Sequence, residues 1–426
     1  MSNTYFGANY AFQLNTQKII EELTKGEILD DLEFLKKIVS ELQQNKAFDI
    51  SGGRIWKLLP EKKSYTLVFQ YGQVQEIPAD YQVLVESDPK LFELTAQHTL
   101  IAQEEDPILR NKGIFIYSMA GVGGYQKVNG KKYFRYILGF NAMEITQEFY
   151  TTLGIISSFV SIKLNEFYEE KQQKRIKKDI FTASTIQRNL FPDHKIDFAD
   201  YKIFGTCIQS GGDANVGGDY FDYFKNLDNE EERLGILIAD AASSGLPAAV
   251  QAVFLSGAVK MAQVFSPKIS NMVSRLNTLV FDAFPSERPI SMCYCEFTLS
   301  SNRLVQYANA GHVSPIHYRP SENQFQFLEP TGGLLGILRN QKYIVENVRM
   351  LPGDILVLYS DGITEAFNAE GKLFGRNRLQ EIIKTNNCSN PEQIVYKIIE
   401  EVEKFAAAGQ YVDDKTLVVV KRLDTK

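Results

Sequence analysis

Four aspartates in the C-terminal half stand at the edges of apolar segments, each beside small or turn-forming residues. They are Asp219 in Gly217-Gly-Asp219-Tyr-Phe-Asp222, Asp240 in Ile236-Leu-Ile-Ala-Asp240-Ala-Ala-Ser-Ser-Gly245, Asp361 in Val357-Leu-Tyr-Ser-Asp361-Gly362, and Asp413 in Val412-Asp413-Asp414-Lys-Thr416. One aspartate after a strand usually begins a turn or caps a helix. As a group they say more. If their strands are neighbours, four or five carboxylates meet at one rim of a sheet, and like charges that close cannot all stay ionised without compensation. Hard divalent cations such as Mg²⁺ or Mn²⁺ supply it, because they prefer carboxylate, carbonyl and water oxygens. A phosphate ester is the substrate that a pair of such cations suits best.

Other chemistries have thinner support. Cys207, Cys293, Cys295 and Cys388 are scattered, and a single C-x-C pair does not make a zinc site. On an alternating strand the Cys293 and Cys295 sulfurs point to one face, as buried thiols do. Of four histidines, His312 in Asn309-Ala-Gly-His312 is the best placed, and both a hydrogen-bonded structural role and a supporting role beside the cations are open to it. His98, His194 and His317 read as surface or packing residues. Ser243 and Ser244 precede Gly245, but no G-x-S-x-G elbow is present, and no G-x-x-x-x-G-K-[ST] loop exists.

The elements that must position these residues can be traced along the chain. With 426 residues, two domains are expected. Hydrophobic residues at 44% and charged residues at 23% are those of an ordinary globular protein, and a net charge of -6 argues against a nucleic-acid partner. The opening Met1-Ser-Asn-Thr-Tyr-Phe does not read as a secretory signal, and the apolar stretch from Leu153 to Ile162 is too short to span a bilayer, so a cytoplasmic location is expected. Residues 13–44 read as helix from apolar spacings of three and four. Tyr65–Tyr71, Gly113–Met119 and Tyr133–Phe140 read as strands, with Asn129-Gly130 as a hairpin turn. A helix is expected from about Thr146 to Phe191, charged after Glu169 and stopped by Pro192. Its sparse apolar stripe makes it a solvated connector or half of a paired helix in a homodimer. Beyond it, Leu234–Ala239, Val305–Ala308, Ile355–Ser360 and Thr416–Val420 read as strands, and Leu246–Phe265 as a helix. The resulting division is 1–165, a helical linker over 166–195, and 196–426, an α+β chain throughout.

At the acidic segments the chain resembles the PPM (type-2C) metal-dependent protein phosphatases, in their bacterial SpoIIE-like branch. The resemblance runs in order from Ala183-Ser-Thr-Ile-Gln-Arg-Asn-Leu-Phe-Pro192 through Val216–Asp222, Ala239–Ala249, Asn309–His312, Leu351–Ala366 and Phe374-Gly to Asp413-Asp-Lys-Thr416. It implies an α-β-β-α sandwich holding two Mn²⁺ or Mg²⁺ ions. Asp219 and Asp240 would be central ligands assisted by the Ala241 carbonyl. Asp361 and Asp413 would complete the set, with Asp222, Asp414 and His312 supporting. The implied reaction is hydrolysis of phosphoserine or phosphothreonine by a metal-activated water, without a phospho-enzyme. The implied substrate is a phosphorylated anti-sigma-antagonist-like protein of a partner-switching pathway. Ser243-Ser244 stand where the family commonly has Gly-His, which leaves a catalytically weak scaffold that binds a phosphoprotein as the alternative. Residues 1–165 are similar in element order to GAF-type sensory domains, implying a small ligand or partner, or a dimerisation role.

Overall fold

The computed structural model describes residues 14–25, 28–46, 48, 50–72, 76–78, 80–103, 116–142, 146–210, 216–228, 231–242, 245–265, 268–298, 304–406 and 413–423. The opening Met1–Phe6, Gly113–Phe115, Ser243-Ser244 and Val412 therefore lie outside the described residues. The chain forms two compact units, residues 1–175 and 176–426.

In the first unit, helix α1 (Asp31–Gln44) starts where Asp30 caps it, its carboxylate accepting from the amides of Leu32 and Glu33. The helix expected over residues 13–44 is two pieces, residues 14–24 and α1, the second beginning afresh at the Asp30 cap. Leu35, Ile38, Val39 and Leu42 of α1 are fully buried, roughly 1.5–3 kcal/mol each relative to exposure. They pack on a six-stranded sheet made of β1 (Ile50–Leu59), β2 (Ser64–Gly72), β3 (Gln82–Leu84), β4 (Thr99–Gln103), β5 (Ile116–Val128) and β6 (Lys131–Ala142), in the order β3-β2-β1-β6-β5-β4. Helix α2 (Lys90–Gln97) precedes β4. Strand β1 carried no clear sequence signal, since Gly52-Gly53 interrupt it. A side chain at Gly53 would meet Val39 at 2.6 Å, so glycine is what lets α1 lie against the sheet. The β5–β6 turn has Asn129 and Gly130 both at positive φ, the geometry that Asn-Gly favours.

Helix α3 (Gln147–Arg188) buries Phe149, Leu153, Ile156, Val160 and Leu164 in the first core, a stripe at helical spacing. Past Glu169 its side chains are mostly exposed, including Ile176, Phe181 and Ile186. The division between units falls inside this helix, after Arg175.

The second unit is built of two sheets. One joins β9 (Tyr220–Asp228), β10 (Glu231–Ala241), β11 (Ile290–Thr298), β12 (Leu304–Ala310) and β15 (Glu346–Arg349) in the order β15-β12-β11-β10-β9. The other joins β7 (Lys195–Phe198), β8 (Tyr201–Ile208), β13 (Ile316–Arg319), β14 (Gln324–Phe327), β16 (Ile355–Tyr359) and β17 (Lys415–Arg422) in the order β14-β13-β16-β17-β8-β7. Ile236, Ile238, Cys293, Cys295, Leu356, Leu358, Val418 and Val420 form the core between the sheets. Both thiols accordingly sit on one face, in that core. The outer face of the first sheet packs on α4 (Leu246–Gln263) and α5 (Ile269–Ala283), and that of the second on α7 (Gly375–Thr385) and α8 (Pro391–Ala406). The result is an α-β-β-α sandwich, with each sheet burying both faces, which is why its strands read as continuous apolar runs.

Candidate functional site

The acidic residues lie at one end of the sandwich, where strand ends from both sheets meet. On the first sheet, Ala239 pairs with Tyr220, which sets Asp240 and Ala241 opposite Asp219 and Gly218, and the Ala241 amide donates to the Gly218 carbonyl at 3.3 Å. On the second, Tyr359 pairs with Leu417. The Ser360 amide then donates to the Thr416 carbonyl, and the Thr416 amide to Ser360 Oγ, both at 3.0 Å. A short helix α6 (Asp361–Thr364) starts directly after Ser360, so Asp361 and Asp413-Asp414 share this rim.

Side chains of Thr416 and Asp414 help stitch the sheets together here. The Thr416 hydroxyl donates to Asp219 Oδ2 at 2.6 Å. Asp414 accepts the Ser210 amide on Oδ1 at 2.8 Å and the Gly218 and Asp219 amides on Oδ2 at 2.8 and 3.4 Å. Asp414 is buried and its oxygens are committed to backbone, whereas Asp413 is exposed at the rim.

The electrostatics follow from the crowding. Burial, then the charges of Asp361, Asp413 and Asp414, push Asp240 up to about 7. Asp219 is pushed well above the carboxylate range by burial and then by Asp240. Asp361 is raised by burial and by Glu365. Three carboxyls held above their ordinary range, with no Lys or Arg among the causes, form a site poised for cations.

A cleft of about 210 Å³ opens on this rim, lined by Asp240 and Asp361, by Ser291 and His312, and by the apolar Val313 and Leu334. Burial lowers His312 to about 4, so its ring is neutral near pH 7. Ser291 Oγ lies 2.7 Å from His312 Nδ1, and the Tyr359 carbonyl 3.2 Å from Nε2.

The donor set fits hard cations in kind: carboxylate oxygens, with the Ala241 carbonyl facing Gly218. A side chain at Gly218 would come within 3.0 Å of that carbonyl and 3.4 Å of Asp240 Oδ1, filling the cradle. Among the described residues no three acidic, imidazole or thiol groups close on one point as a finished metal cage.

The structure thus brings together Asp219, Asp240, Ala241, Asp361, Asp413, Asp414 and His312. It places Asp222 elsewhere. On β9 the side chains alternate, with Phe221 facing the inter-sheet core, while Tyr220 and Asp222 face α4. There Asp222 accepts from the Tyr220 hydroxyl and pairs with Lys260 at 3.1 Å. The period-two pattern of the strand already carried that information. His317 is a packing residue, as expected, buried with Nε2 2.8 Å from Asp354.

Gln187, near the end of α3, was not anticipated. Only 2% exposed, it donates to the Gly217 carbonyl at 2.7 Å and accepts the Gly217 amide at 3.2 Å. It therefore holds the backbone two residues before Asp219, and no spacing in the sequence marks it.

Residues 230–423 match the family model described as Stage II sporulation protein E (SpoIIE). Phosphoserine phosphatase RsbU of Bacillus subtilis is 29% identical over 260 residues, covering 60% of this chain and 75% of that protein. Protein IcfG of Synechocystis sp. is 26% identical over 266 residues, 56% of this chain, which spans 40% of IcfG's length. The SiaA-PP2C domain of Pseudomonas aeruginosa aligns with 59% of this chain and 99% of its own, at 18% identity and a TM-score of 0.48.

Proposed function

We propose that this chain, whose residues 230–423 match the SpoIIE family model, is a metal-dependent serine/threonine protein phosphatase acting on a phosphorylated regulatory protein. The likeness to a phosphoserine phosphatase supports phosphoserine as the group hydrolysed, and the anti-sigma-antagonist proteins of partner-switching pathways are the substrate class this reading favours. The observation that carries it is that Asp240 and Asp361, delivered by strands of different sheets, line one cleft at the rim.

In this reading Asp219, Asp240, the Ala241 carbonyl, Asp361 and Asp413 hold two Mn²⁺ or Mg²⁺ ions. Such a pair, when bound, lowers the pKa of a water and neutralises charge on the phosphoryl group. The chain's own part is positioning. Thr416 orients the Asp219 carboxylate through its hydroxyl, and Asp414 fixes the Gly218-Asp219 backbone. Val313 and Leu334 give the cleft an apolar wall beside Asp240 and Asp361. A neutral His312 adds no charge to the site.

Residues 1–165 act in this reading as a GAF-like sensory or dimerisation module, with 166–195 as the link and a homodimer as the working form. A cytoplasmic location goes with it. Among the described residues no helix is long and apolar enough to cross a membrane.

The test is Mn²⁺-dependent hydrolysis of p-nitrophenyl phosphate by the full chain beside Asp240→Asn and Asp361→Asn. Turnover that requires metal and collapses in both variants is the expected result. A wild type silent with both Mn²⁺ and Mg²⁺ would favour the scaffold reading, for which the Ser243-Ser244 pair is the motivating departure.

A further inference from the structure

His312 closes the floor of the cleft, and its surroundings leave it little choice of position. Its amide donates to Asn309 Oδ1 at 2.8 Å, and the Asn309 side chain in turn donates to the Leu328 carbonyl at 3.0 Å. Gly311 before it sits at φ 68, with Leu334 so near that a side chain there would clash at 2.8 Å. The ring itself is 2% exposed.

Both ring nitrogens are engaged, and their partners belong to different sheets. Tyr359 offers a carbonyl, which only accepts, so Nε2 carries the hydrogen and Nδ1 accepts from the Ser291 hydroxyl. Ser291 lies on β11 as the register partner of Asp240. Tyr359 is the last residue of β16, with Ser360 between it and Asp361. One imidazole therefore ties the strand beside Asp240 to the strand that delivers Asp361, and these two carboxylates line the same cleft.

We infer that His312 is a positioning residue that sets the separation of Asp240 and Asp361, and through it the affinity of the acidic rim for its cations. The inference rests on the proposed metal-dependent function and adds to it a residue that acts through its hydrogen bonds to Ser291 and Tyr359. Loss of such a support around a metal site typically weakens binding by about 10- to 100-fold.

The experiment is calorimetric titration of the full-length protein with Mn²⁺, with melting temperatures recorded in parallel, for wild type, Ser291→Ala, His312→Phe, His312→Gln and Asp240→Asn. His312→Phe keeps the ring's bulk and removes both bonds, so it should weaken Mn²⁺ binding by about tenfold or more. Ser291→Ala removes one bond and should fall between it and wild type. His312→Gln can restore a donor toward the Tyr359 carbonyl and should recover part of the loss. In p-nitrophenyl phosphate assays the variants should lose kcat with little change in KM at saturating metal. If His312→Phe does not fold, Ser291→Ala and His312→Gln carry the comparison. Wild-type Mn²⁺ affinity in the Ser291 and His312 variants, with lowered melting temperatures alone, reduces His312 to packing and overturns the inference, while the Asp240→Asn control still registers the metal site. A wild type that binds no Mn²⁺ overturns the proposed function and this inference together.

Discussion

The carboxylate of Asp414 occupies the space that a side chain at Gly217 would need: a β-carbon there would overlap Asp414 Oδ2. The absence of a side chain at 217 is therefore what allows Asp414 to reach the Gly218 and Asp219 amides. Gly217→Ala should displace Asp414 and leave buried amides without an acceptor, costing about 1–3 kcal/mol of stability. Metal-dependent turnover should fall with it. Urea unfolding and p-nitrophenyl phosphate kinetics check both, and unaltered stability would show that the overlap is relieved cheaply.

The neighbouring aspartates should separate cleanly by substitution. Asp414→Asn turns an amide group toward backbone donors that need an acceptor, so it should destabilise the fold by about 1–3 kcal/mol. Asp413→Asn, at the exposed rim, should leave the urea midpoint close to wild type while abolishing Mn²⁺-dependent hydrolysis. The reverse pattern, with Asp413 holding the fold and Asp414 dispensable to it, would contradict the geometry.

The stability of the metal-free protein should depend on pH through Asp240. Its ordinary value is 3.8 and the folded site lifts it to about 7. Between those values the folded chain keeps a proton that the unfolded chain has released, so the unfolded state binds fewer protons and stability falls as pH rises. Bound cations favour the ionised form. The melting temperature without metal should thus drop from about pH 5 to about pH 7, while the gain from saturating Mn²⁺ grows over the same interval. Asp240→Asn should flatten both trends; a Mn²⁺ gain of equal size at each end would count against the assignment.

Gln187 makes a prediction of its own. Truncation by Gln187→Ala strips partners from both the amide and the carbonyl of Gly217, a cost of about 1–3 kcal/mol, and loosens the segment leading to Asp219. Chemical denaturation should show the loss, and Mn²⁺ titration a weaker site. Wild-type values in both measurements would mean that water replaces the side chain without consequence.

If α3 transmits regulation, inserting Gly-Pro after Arg175 should break the helix in its exposed, charged stretch. The full-length rate should then move to that of a chain beginning at residue 176. A rate that stays at the uninterrupted value would show that α3 does not transmit regulation.

Much of the catalytic half was legible beforehand because its signals are local. The apolar run Leu234–Ala239, the helix after Gly245 and the aspartates beside turn residues depend on chain neighbours only, and each emerged close to its expected place. The Asn129-Gly130 turn was readable for the same reason. Strand β1 was not, since its glycines serve the approach of α1 rather than strand propensity.

What the sequence determined, then, was the chemistry available: oxygen ligands at strand ends and few histidines or thiols to compete. Tertiary structure decided which of those groups meet. Thr416 reaches Asp219 across 197 residues and Asp414 reaches Gly218 across 196, pairings that depend on two sheets facing one another and that no local spacing encodes. The same packing sends Asp222 to the outer face, buries Asp414 while leaving adjacent Asp413 exposed, and places one imidazole between Ser291 and Tyr359. Local propensity names the candidates, but their proximity is a property of long-range packing, and in this protein the site is made of that proximity.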